Sequence, residues 1–284
     1  MHPLARLPVA ALLTAMVFGN TAGAADLRKQ TELGMVVTGT VDIRADGSVD
    51  RYAIDDAAKV PAAVRGILDR QVPRWKFEPA IVDGKPVATH TSTTIRILAK
   101  PIDDGGYAAG IQSAAFSGGG TDDGGRISIR ERKPAIAFPS LGFLVGMSGD
   151  VYLALKIGRD GRVLDAVVQK VNLTASANDT QMARARKAFA EATLAAVRQW
   201  SFSVPTGNKW ADVPYWTGVL PVYFHDLGND DVYGKWRPYL PGPCTEIPWP
   251  DEDDGSPHDR CARGPEGVSS VDSDGPKLLT PLMQ

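Results

Sequence analysis

The sequence predicts an α+β protein of tandem ββαβ units, each a small antiparallel sheet packed against one helix, followed by a disordered acidic C-terminal tail. Three observations predict it. The stretch Val72-Pro73-Arg74-Trp75-Lys76-Phe77-Glu78-Pro79 has a twin at Val197-Arg198-Gln199-Trp200-Ser201-Phe202-Ser203-Val204-Pro205. Upstream of each lies an alternating apolar strand pattern closed by an Asp-Gly turn, Asp46-Gly47 in one case and Asp160-Gly161 in the other. Downstream of each comes one more strand. Such self-similarity marks a supersecondary unit written twice, and a chain of 284 residues has room for it.

Residues 1–24 are expected to be a signal peptide. Arg6 supplies a positive charge, Leu7 to Gly19 is an apolar run, and Ala22-Gly23-Ala24 offers a cleavage site after Ala24. The apolar run falls short of the roughly 20 residues that span a bilayer, so export to the periplasm is expected and an uncleaved inner-membrane anchor is the competing reading.

The first unit is placed at 25–100. Val37, Gly39, Val41 and Ile43 share one face of a period-two strand, and Asp46-Gly47 makes the tight turn before a return strand near Val49–Ile54. Val60, Val64, Ile67-Leu68 and Gln71-Val72 step at three and four, which predicts a helix that Pro73 terminates. Asp83-Gly84 is a second turn, and Thr91 to Leu98 reads as the closing strand. Residues 101–133, with Gly105-Gly106, Gly118-Gly119-Gly120 and Gly124-Gly125, read as a Gly-rich linker.

The second unit is placed at 134–226. Val151, Leu153, Leu155 and Ile157 form the first strand face, Asp160-Gly161 turns it, and Val163 to Val171 returns. Asn178 and Asp179 are cap candidates for a helix whose stripe runs from Met182 through Phe189 and Val197 to Trp200. The last strand, Thr217 to Phe224, contains Pro221, and a proline inside a strand belongs on a sheet edge. Residues 227–284 form a Pro- and acid-rich tail with five basic against eleven acidic residues. Both cysteines, Cys244 and Cys261, lie there; in an oxidising compartment they could pair, closing a loop worth ~3 kcal/mol, and two free thiols are the alternative.

In these motifs the chain resembles the C-terminal domain of TonB-type energy transducers. The second unit carries Gly149-Asp150-Val151, Asp160-Gly161-Arg162-Val163, Trp200-Ser201-Phe202 and Val219-Leu220-Pro221-Val222-Tyr223-Phe224. Phe138-Pro139 stands where that family usually has Tyr-Pro. The first unit carries Gly39-Thr40-Val41, Asp46-Gly47-Ser48-Val49 and Trp75-Lys76-Phe77-Glu78-Pro79-Ala80, without the Tyr-Pro element or the strand proline. The resemblance implies a periplasmic protein-interaction module linked to TonB-dependent transport. It would bind an extended segment, such as the TonB box of an outer-membrane receptor, along an edge strand. Its partner-binding residues would be Thr217, Val219, Leu220, Pro221, Val222, Tyr223 and Phe224, with Phe138 and Pro139; Thr91–Leu98 would be a weaker second edge. The chain departs from working transducers, which have an uncleaved anchor followed by a long Pro-rich span.

Other chemistries find little support. Charges of 31 Lys and Arg against 33 Asp and Glu leave no basic excess for nucleic acid. The histidines His90, His225 and His258 are dispersed, no metal-ligand spacing occurs, and no Gly-x-Ser-x-Gly elbow supplies a nucleophile. No catalytic residues, metal, cofactor or small-molecule substrate are therefore expected, and the chain is not read as an enzyme. Trp75, Phe77, Trp200 and Phe202 read as core anchors and Asp46, Gly47, Asp160 and Gly161 as turn formers. The competing role is structural: the two units pair edge to edge, within a chain or in a homo-oligomer.

Overall fold

The computed structural model describes residues 5–7, 27–118, 127–139, 147–204, 213–224, 233–250, 276 and 278–282. It is an α+β structure with antiparallel strand pairing. In chain order the strands are β1 (Ala5–Leu7), β2 (Glu32–Ile43), β3 (Val49–Ile54), β4 (Ala80–Val82), β5 (Lys85–Val87), β6 (Thr89–Pro101) and β7 (Tyr107–Ser117). They continue with β8 (Ser128–Glu131), β9 (Gly149–Gly158), β10 (Val163–Leu173), β11 (Ser201–Ser203), β12 (Tyr215–Phe224) and β13 (Arg237–Tyr239). The longer helices are α1 (Ala62–Gln71) and α2 (Asp179–Val197), and residues 27–30 form a helical turn before β2.

One sheet runs β1-β7-β6-β2-β13, with β3 also on β2; another runs β10-β9-β12. Within them the same three-strand order occurs twice, β3-β2-β6 and β10-β9-β12, and each trio has its own core. Val64, Ile67 and Leu68 of α1 are essentially sealed against Val37, Val41, Ile95 and Ile97. Burying each such side chain contributes about 1.5–3 kcal/mol. On the other side Met182, Ala185, Phe189 and Val197 of α2 pack on Val151, Leu153, Leu155 and Ile157. The Asn178 Oδ1 accepts the Gln181 N–H at 2.9 Å and caps α2, a bond worth about 1 kcal/mol.

The Asp-Gly turn and the Trp-x-Phe stretch touch in both halves. The Phe77 N–H donates to the Gly47 carbonyl at 2.8 Å, and the Phe202 N–H donates to the Gly161 carbonyl at 2.8 Å. Gly47 and Gly161 both adopt φ 78°. A Cβ on Gly47 would stand 2.1 Å from the Phe77 carbonyl oxygen, and one on Gly161 2.0 Å from that of Phe202. Glycine is thus required twice over, by the left-handed conformation and by close backbone approach. Asp46 and Asp160 each accept the N–H two residues on, at 2.9 and 3.0 Å. Trp75, Phe77, Trp200 and Phe202 are all buried, and the Trp200 indole N–H donates to the Pro134 carbonyl at 2.9 Å.

Several expectations need correction. The stretch 101–133 is not simply a linker, because it contains β7 and β8. Gly105, Gly106 and Gly118 flank β7 and Gly110 lies within it, whereas Tyr107, Ala109, Ile111 and Phe116 join the first core. With β7 in place β6 is flanked on both sides, so Thr91–Leu98 is not an open edge. Pro73 closes α1 as expected, with a 3-10 turn over Val72–Arg74.

The tail is ordered in part, because apolar side chains interrupt its acids and prolines. β13 pairs with β2, and the next residue, Leu240, exchanges backbone bonds with Leu173 of β10 at 3.0 and 2.7 Å. Among the described residues the two sheets are therefore joined through this tail segment. Tyr233 and Trp236 lean on the first core; Ile247 and Trp249 pack against Ala154 on the second sheet. Leu278 bridges Phe77 and the Leu279 N–H donates to the Lys76 carbonyl at 2.7 Å. Cys244 is disulfide-bonded; the only other cysteine in the sequence, Cys261, lies outside the described residues, as do the cleavage site at Ala24 and most of the acidic run. No helix among the described residues is long and apolar enough to cross a membrane.

Glycine geometry separates two of the turns. Gly84 also has positive φ, 73°, but nothing lies within 4 Å of an added Cβ. Gly161→Ala should cost about 3 kcal/mol, combining the left-handed penalty with a backbone clash, whereas Gly84→Ala should cost only about 1 kcal/mol. Urea unfolding of the two variants checks this, and equal losses would contradict it.

Candidate functional site

β12 forms one edge of the second sheet. Its register with β9 is unbroken from Tyr215↔Gly158 to Phe224↔Gly149, and no described strand pairs with its other side. Period-two alternation divides its side chains. Leu220, Val222 and Phe224 face the α2 side and join the second core. Tyr215, Thr217, Val219, Pro221 and Tyr223 face the opposite way.

The two halves of the strand differ in cover. Trp216, Thr217 and Val219 are buried. The Trp249 indole N–H donates to the Thr217 Oγ1 at 3.1 Å, and the Tyr215 hydroxyl donates to the Pro250 carbonyl at 2.8 Å. The tail thus lies over the sheet face at that end. From Leu220 to Tyr223 the strand is half-buried or exposed. Of the predicted edge residues, then, Thr217 and Val219 are covered on their face, while Leu220, Pro221, Val222 and Tyr223 remain accessible.

Pro221 sits opposite Tyr152 within the continuous register. The placement that sacrifices no ladder hydrogen bond turns its nitrogen away from β9. Alternation then aims the backbone groups of Val219 and Tyr223 outward as well, into the open side of the strand.

Phe138 comes to the end of this edge, although it is far from Phe224 in sequence. Its ring meets Phe224 and Phe189 edge-on, each at 5.7 Å between centroids, and Phe189 and Phe224 lie 4.7 Å apart. Phe138 itself is 50% exposed. The result is an apolar ledge beside Leu220 and Val222, with the half-buried Pro139 next in the chain.

The other face of the same strand end is cationic. The Tyr223 hydroxyl hydrogen-bonds Arg96 of β6, with Arg237 of β13 and Asp150 of β9 nearby. Tyr223 is half-exposed as a residue, yet its hydroxyl end is desolvated, and that desolvation pushes the phenol above its usual range while Arg96 pulls it back. Arg96 and Arg237 carried no signal in the sequence, because only the packing of the first sheet and the tail against this strand brings them there.

Among the described residues no catalytic arrangement is evident in the geometry. His90 Nδ1 lies 2.5 Å from Asp42 Oδ1 on an exposed sheet surface. Hydrogen bonds from His90 and then Arg51 hold the Asp42 carboxyl below the usual range. Among the described residues no group of three or more His, Cys, Asp or Glu is placed to hold a metal.

Because desolvation favours neutral Tyr223, this phenol should titrate above an ordinary tyrosine. Arg96→Gln should raise it further, since the guanidinium favours the phenolate. The stabilising contribution is full below the ordinary tyrosine pKa and is lost as pH rises through the raised one. NMR titration of ring-labelled tyrosine reads both effects; a fall on removing Arg96 would contradict the assignment.

No protein-family model, curated protein or solved structure matches this chain significantly, so the functional assignment of the edge rests on its geometry.

Proposed function

We propose that this chain is an exported, periplasmic binding module similar to the TonB C-terminal domain. In this reading it contains two ββαβ copies, and the second takes up an extended segment of a partner protein along β12. An outer-membrane receptor's TonB-box-like segment is the proposed partner, which would link the chain to TonB-dependent transport.

A contrast between two equivalent edges carries the proposal. β6 and β12 hold the same position in their strand trios. The chain's own β7 fills the β6 edge as an antiparallel strand, from Ser92↔Ser117 to Pro101↔Tyr107. The β12 edge has no such cover among the described residues. What β7 does for the first copy, a partner segment would do for the second. Its backbone would satisfy the outward N–H and C=O groups of β12. Its alternate side chains would meet the Phe138–Phe224 ledge on one face and Tyr223 with its neighbouring arginines on the other.

This is binding chemistry and requires no nucleophile or cofactor. The competing structural reading places a second copy of this chain on β12 in a homo-oligomer. Sedimentation at rising concentration distinguishes the two, since self-pairing through β12 predicts concentration-dependent dimers that a bound peptide dissolves.

Receptor-box peptides titrated into labelled protein should shift the amides of 217–224 with saturation. Tyr223→Pro removes one outward donor and should weaken binding several-fold, by about 1 kcal/mol. No shift in those amides at millimolar peptide would overturn the proposal.

A further inference from the structure

A second feature, independent of the β12 edge, lies where the two sheets meet. A cavity of about 380 Å³ opens between the start of β2, the end of β6, the first turns of α2 and the tail segment at Leu240. That volume falls within the range of small-ligand sites. Its rim carries Lys29, Lys100 and Arg186 against a single carboxylate, Glu32, and its wall includes the apolar Met182 and Leu240. Glu32 is engaged by the Tyr239 hydroxyl, which donates to it at 2.8 Å.

Among the described residues no salt bridge forms to Lys29, Lys100 or Arg186. Arg186 is half-buried and spends two of its N–H groups on backbone carbonyls, those of Val171 at 3.3 Å and Pro241 at 3.4 Å. A guanidinium has five N–H donors, so about three remain for another acceptor. Burial also pulls the Arg186 pKa below its usual value, and Asp179, acting without contact, offsets that only in part. A partly desolvated guanidinium with no described carboxylate in contact carries a cost that an anionic ligand would offset.

We propose that this cavity binds a small organic dianion, with Arg186, Lys100 and Lys29 receiving its oxyanions. Three positive charges against one negative match a double negative charge, and Met182 and Leu240 would contact the carbon body. Since β6, α2 and the tail all contribute, a bound ligand would also hold the two sheets in their relative positions.

Isothermal titration of the full-length protein with succinate, against sodium chloride of equal ionic strength, tests the proposal. One saturable site is expected, with inorganic phosphate binding several-fold more weakly because it lacks the carbon body. Arg186→Gln should weaken succinate at least tenfold. Lys100→Gln, an exposed position outside the cores, should weaken it about threefold with an unchanged melting curve. Three results would overturn the proposal: no succinate heat beyond the salt control, affinity unchanged in both variants, or phosphate binding as tightly as succinate.

Discussion

Each half of this protein depends on one backbone contact, the docking of an Asp-Gly turn against an extended Trp-x-Phe stretch. The hydrogen bonds from the Phe77 N–H to Gly47 and from the Phe202 N–H to Gly161 are both 2.8 Å long. Each ties the tip of a hairpin to the segment that leaves the helix. The same contact aims Trp75 and Phe77, or Trp200 and Phe202, into the core beneath the sheet. Helix, hairpin and final strand are thereby fixed relative to one another before the rest of the core is counted. A side chain on either glycine would meet a backbone oxygen, which cannot move aside as a flexible side chain can.

From that shared frame the halves diverge at their edges. In the first, β7 adds to β6, and Phe116 brings a third ring to Trp75 and Phe77, 5.7 and 5.0 Å from them. In the second, Phe138 instead meets Phe189 and Phe224 at the strand end, and no described strand pairs with the outer side of β12. The two strand trios thus differ at this edge, which β7 fills in the first and no described strand fills in the second. The tail then links the halves: Arg237–Tyr239 lies on β2, Leu240 on β10, and Ile247 and Trp249 on the outer face of the second sheet.

The elements governed by local chemistry were legible in the sequence. Period-two faces gave the strands, the Asp-Gly pairs their turns, Pro73 the end of α1 and Asn178 the cap of α2. The α+β class follows from these. Tertiary choices were less legible. β7 was hidden because Ala108, Ala109, Gly110 and Ala114 are small residues of weak strand preference, recruited by an open neighbour rather than by their own propensity. The partial ordering of the tail was hidden because prolines and acids outnumber the few apolar anchors such as Ile247 and Trp249. Gly39 and Gly149 also misled as matching positions, since Gly39 stands seven residues before Asp46 and Gly149 eleven before Asp160. In the candidate site, the strand over Thr217–Phe224 was readable from its apolar pattern and Pro221. Arg96 and Arg237 were not, since sequence spacing says nothing about how two sheets approach each other.

A backbone edge of β12 with no described strand beside it underlies the proposed binding, and amide hydrogen exchange along that strand reads it out. Under native conditions Leu220 and Val222, bonded to β9, should be protected, whereas Tyr223 should exchange fast, with Val219 intermediate beneath its covering tail. Uniform protection from Val219 to Phe224 would contradict an open edge, because it would mean that the outer side of β12 is already paired.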